Sequence, residues 1–172
     1  PLEFDNNQWT LRFVSWLKEV RMRTTGGQDA LSHLIQAYEY HRKQLVELSR
    51  LVRVRIREYD RELYSLLNRI SGIGPLTASA LITELGDINR FDNIDQLGSY
   101  IGLVPKIRES GEVTHTGGIT FRCNSFLRTL LIESSWQAVR MDPAMMQYYH
   151  KHLVNNTGHK VIIKVARKLL NR

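Results

Sequence analysis

Between Gln28 and Ile70 the chain holds neither glycine nor proline. One set of apolar positions there is Leu31, Ile35, Tyr38, Leu45, Leu48, Val52, Ile56, Tyr59, Leu63, Leu66 and Ile70. They are separated by steps of three, four or seven residues, which places them on one face of a helix. The pattern predicts a helix over 28–70 about 60 Å long, at about 1.5 Å per residue. A rod of that length cannot be buried in a small globule, so its apolar face needs a partner helix, most simply from a second copy of the chain. Arg42 and Ser49 stand where the seam would be apolar. The expectation is therefore a short or interrupted coiled coil.

The pattern changes at Ile70. In the run NRISGIGPLTASALITELGDINRF, Gly72 and Gly74 bracket Ile73, and Pro75 stands at a good first helical position. Ala78, Ala80, Leu81 and Leu85 then mark a second helix ending at Gly86. Helix, tight Gly-Ile-Gly turn and helix, over about 70–86, form a helix-hairpin-helix pattern. Further helices follow. One is capped by Asp92 or Asn93 and closed by Gly102, and one is capped by Asn124 or Ser125. Another begins at Asp142-Pro143, and the last carries Val161, Ile162, Val165 and Leu169 on one side. Only the polar stretch near 104–121 leaves room for a short β-hairpin, for example around Gly117-Gly118. The predicted fold is all-α in the main, with that one hairpin.

Composition adds boundaries. Hydrophobic residues make up 42% and charged residues 24% of 172 residues, the balance of a globular protein. No apolar run approaches the ~18 residues of a membrane helix. The one cysteine, Cys123, excludes an internal disulfide and fits a reducing compartment. It also makes a thiolate zinc site a poor reading. The chain begins at Pro1 and ends in the helical pattern VIIKVARKLLNR, so it reads as a piece of a longer protein.

The net charge of +7 is unevenly placed. Residues 71–95 carry 1 basic and 4 acidic side chains, whereas residues 96–172 carry 11 and 4. Clustered cations attract polyanions by counterion release, which favours nucleic acid as a partner over mere solubility charge. Arg50, Arg53, Arg57 and Arg61 also line up beside the helical seam, either as a solvated face partly relieved by Glu47, Glu58 and Glu62 or as a stripe that follows phosphates.

The candidate chemistry is sparse. His150 and His152 lie two apart and face different ways on a helix, which makes them poor joint metal ligands. Glu84, Asp87, Asp92 and Asp95 cluster in sequence but sit where helices start and stop, so capping outweighs metal binding. Gly72 and Gly74 would let backbone approach a phosphate at the start of the second hairpin helix, unless the hairpin only packs. Ser110, beside Gly111 on a basic loop, is either a turn residue or a nucleophile toward phosphate. A nucleophilic serine needs cations nearby, and Lys106, Arg108, Arg122 and Arg128 could supply them.

The run SGIGPLTASALITELGDINRFDNIDQLGSYIGLVPKIRESG, followed by GGITFRCNSFLRTLLIESSW, resembles the C-terminal domain of the Piv-invertase-like insertion-sequence transposases. The shared features are the Gly-Ile-Gly-Pro hairpin, Gly86-Asp87 with Arg90-Phe91, Gly102-Leu103 with Pro105, Ser110-Gly111, Asn124 with Arg128, and Ala166-Arg167-Lys168-Leu169. Where members often carry Lys-Arg-Gly-Asn, this chain reads Phe121-Arg122-Cys123-Asn124, one cation and one glycine fewer.

The resemblance implies a recombinase with an N-terminal RuvC-like domain whose acidic tetrad holds Mg²⁺. That domain is expected outside this chain, with residues 1–27 as its link, 28–70 as a long dimerising helix and 71–172 as the C-terminal transposase domain. Ser110 matches the family's nucleophile, which forms a phosphoserine link to DNA. The resemblance also implies a structured guide RNA, dimers or tetramers formed through the long helix, and a cytoplasmic, nucleoid-associated setting in a bacterium. Gly72, Gly74, Lys106, Arg108, Arg122, Asn124, Arg128, Lys160, Lys164 and Lys168 are the expected nucleic-acid contacts, and no metal ligand is expected within the chain. The alternative is a non-catalytic helix-hairpin-helix module that binds nucleic acid and dimerises.

Overall fold

The computed structural model describes residues 4, 8, 10–110, 113–119 and 123–172. It divides into two compact units, Pro1–Leu51 and Val52–Arg172. In the first, helix α1 (Leu11–Glu19) is capped by the Thr10 hydroxyl, which accepts from the Phe13 amide at 3.2 Å. Phe4, Phe13 and Trp16 pack ring to ring at centroid distances of 5.1 to 5.7 Å. Helix α2 (Thr25–Tyr59) starts behind Thr24, whose hydroxyl accepts from Gly27 N–H at 3.1 Å. Lys18 on α1 and Glu39 on α2 pair at 2.5 Å. Leu31, Ile35 and Tyr38 are accordingly half-buried, but farther along the seam Leu45, Leu48, Val52 and Tyr59 remain exposed.

The expected helix over 28–70 is broken once. Asp60 adopts an extended conformation (φ −151°, ψ 90°), and its carboxylate accepts from the Leu63 amide at 2.8 Å to cap α3 (Arg61–Asn68). Aspartate competes for local backbone in this way, which is why it favours helix starts over helix interiors. The apolar spacing runs through the break unaltered, so periodicity does not reveal it.

After α3 come α4 (Pro75–Leu85), a single 3₁₀ turn (Ile88–Arg90) and α5 (Ile94–Ile101). Strands β1 (Pro105–Ser110) and β2 (Val113–Ile119) follow, then α6 (Ser125–Met141), α7 (Pro143–Leu153) and α8 (Gly158–Leu170). The core of this unit gathers on α6 and α8. Leu127, Leu131, Ala138, Val161, Val165 and Ala166 are fully buried, together with Ala78 of α4, Ile101 of α5 and Met145 of α7. The open capping choices resolve to Asn93 for α5, Asn124 for α6 and Asp142 for α7. Gly102 closes α5 in the left-handed conformation at φ 83°.

The two strands form the antiparallel hairpin, but its turn is not at Gly117-Gly118. Ser110 pairs with Val113, so the chain reverses between them, and the ladder slips between Pro105 and Ile107. Pro105 opposes Ile119 while Ile107 opposes Thr116, which puts one extra residue on β2 in the Gly117-Gly118 stretch. Glycine suits a bulge as well as it suits a turn, and the residue type alone does not separate the two.

The turn joining α3 to α4 is held by its approach to α6. Gly72 has φ +92°, and a Cβ there would fall 2.2 Å from the Ser134 carbonyl oxygen and 2.8 Å from the Ala138 nitrogen. Thr77 and Ser134 share a hydrogen bond at 3.1 Å across the same interface. Replacing Gly72 by alanine combines a strained dihedral with a clash against main chain, and is expected to cost about 3 kcal/mol or more in chemical denaturation. Gly74→Ala, where a Cβ meets nothing within 4 Å, is expected to cost less than about 1 kcal/mol in the same measurement.

Asp142 generates a pH prediction. The Arg172 guanidinium donates to its carboxylate and holds the Asp142 pKa below the usual range, helped by the Met145 and Ala144 amides and opposed by desolvation. A depressed folded-state pKa contributes stability above the unfolded value, and that contribution is lost as pH falls through the folded value. Acid titration of the melting temperature should therefore show a drop starting below about pH 4, and Asp142→Asn should lack that component.

Candidate nucleic-acid interface

The residues singled out by sequence fall into four places. The first is the hairpin turn, whose two glycines differ in role. Gly72 lies against the α6 backbone, whereas Gly74 is the open N-cap of α4 and provides no side-chain cap. Pro75 follows as the first helical residue, so the early amides of α4 have no side chain from the cap upon them. An uncapped helix start carries partial positive charge, the chemical requirement for receiving an anion.

The second is the β-hairpin. Lys106, Arg108 and Ser110 occupy alternate positions of β1, and Arg108 pairs in register with His115. Ser110 is the last paired residue before the chain reverses. Arg122 lies outside the described residues, as does Gly111 of the Ser-Gly step.

The third is the start of α6. Asn124 accepts from the Leu127 amide at 3.0 Å and caps the helix, while its Nδ2 donates to Glu84 at 2.7 Å. Its own amide donates to the Tyr100 carbonyl at 2.8 Å. One side chain and one amide thus tie together the end of α4, the end of α5 and the start of α6, so geometry gives Asn124 a structural role in this fold. Arg128, one turn on, reaches toward Gly102, where a Cβ would lie 3.1 Å from its Nη1 and 2.6 Å from the Cys123 sulfur. Gly102 is the residue that leaves room for Cys123.

The fourth is α8. Lys164 and Lys168, with Arg167, Ile94, Tyr148 and Asn171, line a cavity of about 470 Å³. Lys168 Nζ stands 4.5 Å from the centroid of the Tyr148 ring, a cation–π contact, and Arg167 is paired with Asp95. Lys160 is exposed in the first turn of the same helix and is not part of that cavity.

Of the four acids that sequence assigned to capping, Asp87 alone caps a helix, and the other three hold side chains. Glu84 receives Asn124, Asp87 accepts from the Asn89 amide at 2.9 Å, Asp92 accepts from Gln96 at 2.8 Å, and Asp95 pairs with Arg167. Among the described residues no three His, Cys, Asp or Glu side chains converge as a metal site. None of the helices described is long and apolar enough to cross a membrane. Sequence reasoning missed the seat of Arg90, whose guanidinium carbon lies 4.6 Å from the Phe91 ring and 4.8 Å from the Tyr100 ring. The adjacent Arg-Phe pair was the available signal, but Tyr100 comes from the next helix.

Residues 64–150 match the family described as Transposase IS116/IS110/IS902. A Sinorhizobium fredii protein named as a candidate transposase, y4qE, is 33% identical over 166 residues, covering 95% of this chain and 39% of that protein. The transposase for insertion sequence element IS1111A of Coxiella burnetii is 36% identical over 106 residues, or 60% of this chain and 26% of its own length. The pilin gene-inverting protein of Moraxella bovis is 32% identical over 109 residues, or 62% of this chain and 34% of its own length. The chain thus spans well under half the length of these curated relatives.

Proposed function

This chain belongs to the transposase IS116/IS110/IS902 family, and from that membership we propose that it grips DNA and supplies the serine nucleophile of strand exchange. The observation that carries the reading is the family match over 64–150, which takes in the hairpin turn, the whole β-hairpin with Ser110 at its reversal, and the start of α6. The cations Lys106, Arg108, Arg122 and Arg128 and the open start of α4 at Gly74 are the groups offered to phosphates, with Lys160, Lys164 and Lys168 as a further basic row on α8.

The chemistry is a phosphoryl transfer. Ser110 Oγ attacks a backbone phosphorus, a phosphoserine ester forms, one P–O bond to deoxyribose breaks, and the serine proton passes to a base. The departing sugar oxygen takes up a proton. Cations beside Ser110 would stabilise the charge that builds on the phosphoryl oxygens. Among the described residues no three acidic or histidine side chains converge, and Glu84 and Asp95 are held by Asn124 and Arg167, so no Mg²⁺ site is assigned within them. In this reading the acidic tetrad and its Mg²⁺ belong to a separate RuvC-like domain, joined through residues 1–27, and a guide RNA selects the sites. Residues 28–70 would mediate dimers or tetramers. Support for that comes from the seam, where Leu45 is 66% and Tyr59 is 78% exposed, a waste of apolar surface unless another helix covers it.

Two consequences separate this reading from a purely architectural module. The isolated chain should bind DNA without cutting it. In the full-length protein, Ser110→Ala should leave DNA affinity within about twofold but lower strand exchange by at least about a thousandfold, measured in a recombination assay with trapping of the covalent serine–DNA adduct. Normal exchange by that variant, or an adduct that still forms in it, would contradict the assignment.

A further inference from the structure

Three of the four arginines in the stripe read from the sequence, all but Arg50, form one wall of a groove. Arg53 and Arg57 on the last turns of α2 and Arg61 at the start of α3 all line a single cavity of about 730 Å³. The break at Asp60 lies between the second and third of them and does not scatter them. Ser65 and Asn68 of α3 and Pro75, the first residue of α4, complete the lining. The only carboxylate in the lining is Glu58, and it is held at 2.9 Å by Arg55, which is not in the lining. The lining therefore brings three arginines and one carboxylate, itself bound by Arg55, to a single space.

Two further features narrow what could fill it. Tyr64, the one aromatic of the groove, is 4% exposed, and the Arg57 guanidinium lies over its ring at 5.5 Å. A ring buried and covered in that way offers no platform on which an unstacked base could lie, the usual device of single-strand binders. The contact does brace Arg57, which lowers the entropy lost when the guanidinium meets a ligand. Arg53 and Arg57, one helical turn apart, are separated by about 6 Å along the helix axis, close to two rises of about 3.4 Å measured along the axis of duplex DNA. Arginine's planar fork also suits a phosphate better than a lysine does.

We propose that this groove seats the phosphodiester backbone of duplex DNA, as a contact surface additional to the β-hairpin and to α8. The proposal rests on the DNA-binding reading above and assigns to it a set of residues on the α2–α3–α4 junction. Contact is with backbone alone, so the groove would position a duplex without selecting its sequence.

The test uses the 172-residue chain and a labelled duplex of about 30 base pairs, with affinity followed by fluorescence anisotropy between about 50 and 200 mM salt. Arg53→Gln, Arg57→Gln and Arg61→Gln combined should weaken binding at about 100 mM salt by roughly tenfold or more and flatten the slope of log K against log salt by about 2 to 3. The corresponding triple Arg→Lys variant should keep most of the slope. Circular dichroism checks folding. If the triple Gln variant loses helicity, Arg53→Gln and Arg61→Gln singly should each remove about one unit of slope. A Gln variant that binds like the wild type overturns the groove while leaving the DNA-binding reading standing. A wild-type chain that binds no duplex removes both. A loss as large on single-stranded DNA or on duplex RNA as on duplex DNA overturns the choice of partner.

Discussion

The α3–α4 turn can meet α6 only where the chain has no side chain. A Cβ on Gly72 would overlap the Ser134 carbonyl and press on Ala138, and the positive φ of Gly72 excludes most other residues independently. Once the turn is seated there, α4 can bury Ala78, Ala80, Leu81 and Ile82, and the Thr77–Ser134 hydrogen bond closes a polar pair that would otherwise be left without a partner in the core. The direction in which α4 starts follows from this contact. So does the position of Gly74, two residues on, at the edge of the packed region with open space around it.

The other elements of the unit are arranged around the same helix. Asn124 starts α6, and the bonds it makes to Glu84 and Tyr100 fix the ends of α4 and α5 relative to it. The β-hairpin leaves the chain directly after Gly102-Leu103 and returns just before Asn124, so both of its ends attach to the one corner that Asn124 ties. Ser110 is the paired position of that short ladder farthest from its attachment. The start of α4, α3 and the last turns of α2 enclose the arginine groove. The physical division of labour is then clear. Glycine and small residues secure the turn against α6, and cations line the space left open.

Much of this was legible in the sequence because helices advertise themselves through period and punctuation. The starts at Pro75 and Asp142-Pro143 and the stops at Gly86 and Gly102 follow from capping chemistry alone, which for α6 left Asn124 and Ser125 both open. Less legible were features that depend on what packs where. Gly72 and Gly74 look alike in a Gly-Ile-Gly turn, yet one is locked against a backbone and the other is free, a difference set by α6 more than fifty residues away. Asp60 ends α2 without disturbing the apolar spacing, because the break costs no change of face. Gly117-Gly118 could mark a turn or a bulge, and the register decides for the bulge. Asn124 was read both as a cap and as a nucleic-acid contact, and its two side-chain bonds satisfy the first role fully. The arginine stripe was visible, but only the fold of α3 back toward α4 turns a helical row into a groove.

Hydrogen–deuterium exchange of the chain with and without duplex DNA tests the central claim, that the α3–α4 turn is locked to α6 and that the start of α4 is, as proposed, a phosphate contact. The account predicts that duplex slows exchange in three stretches, at the α4 start from Leu76 to Ala78, along 53–61, and through the β-hairpin, while amides around Ser134 and Ala138 in α6, already protected by packing, do not change. Protection confined to α6 and α8, with the α4 start and the arginine wall exchanging as fast as before, would contradict it.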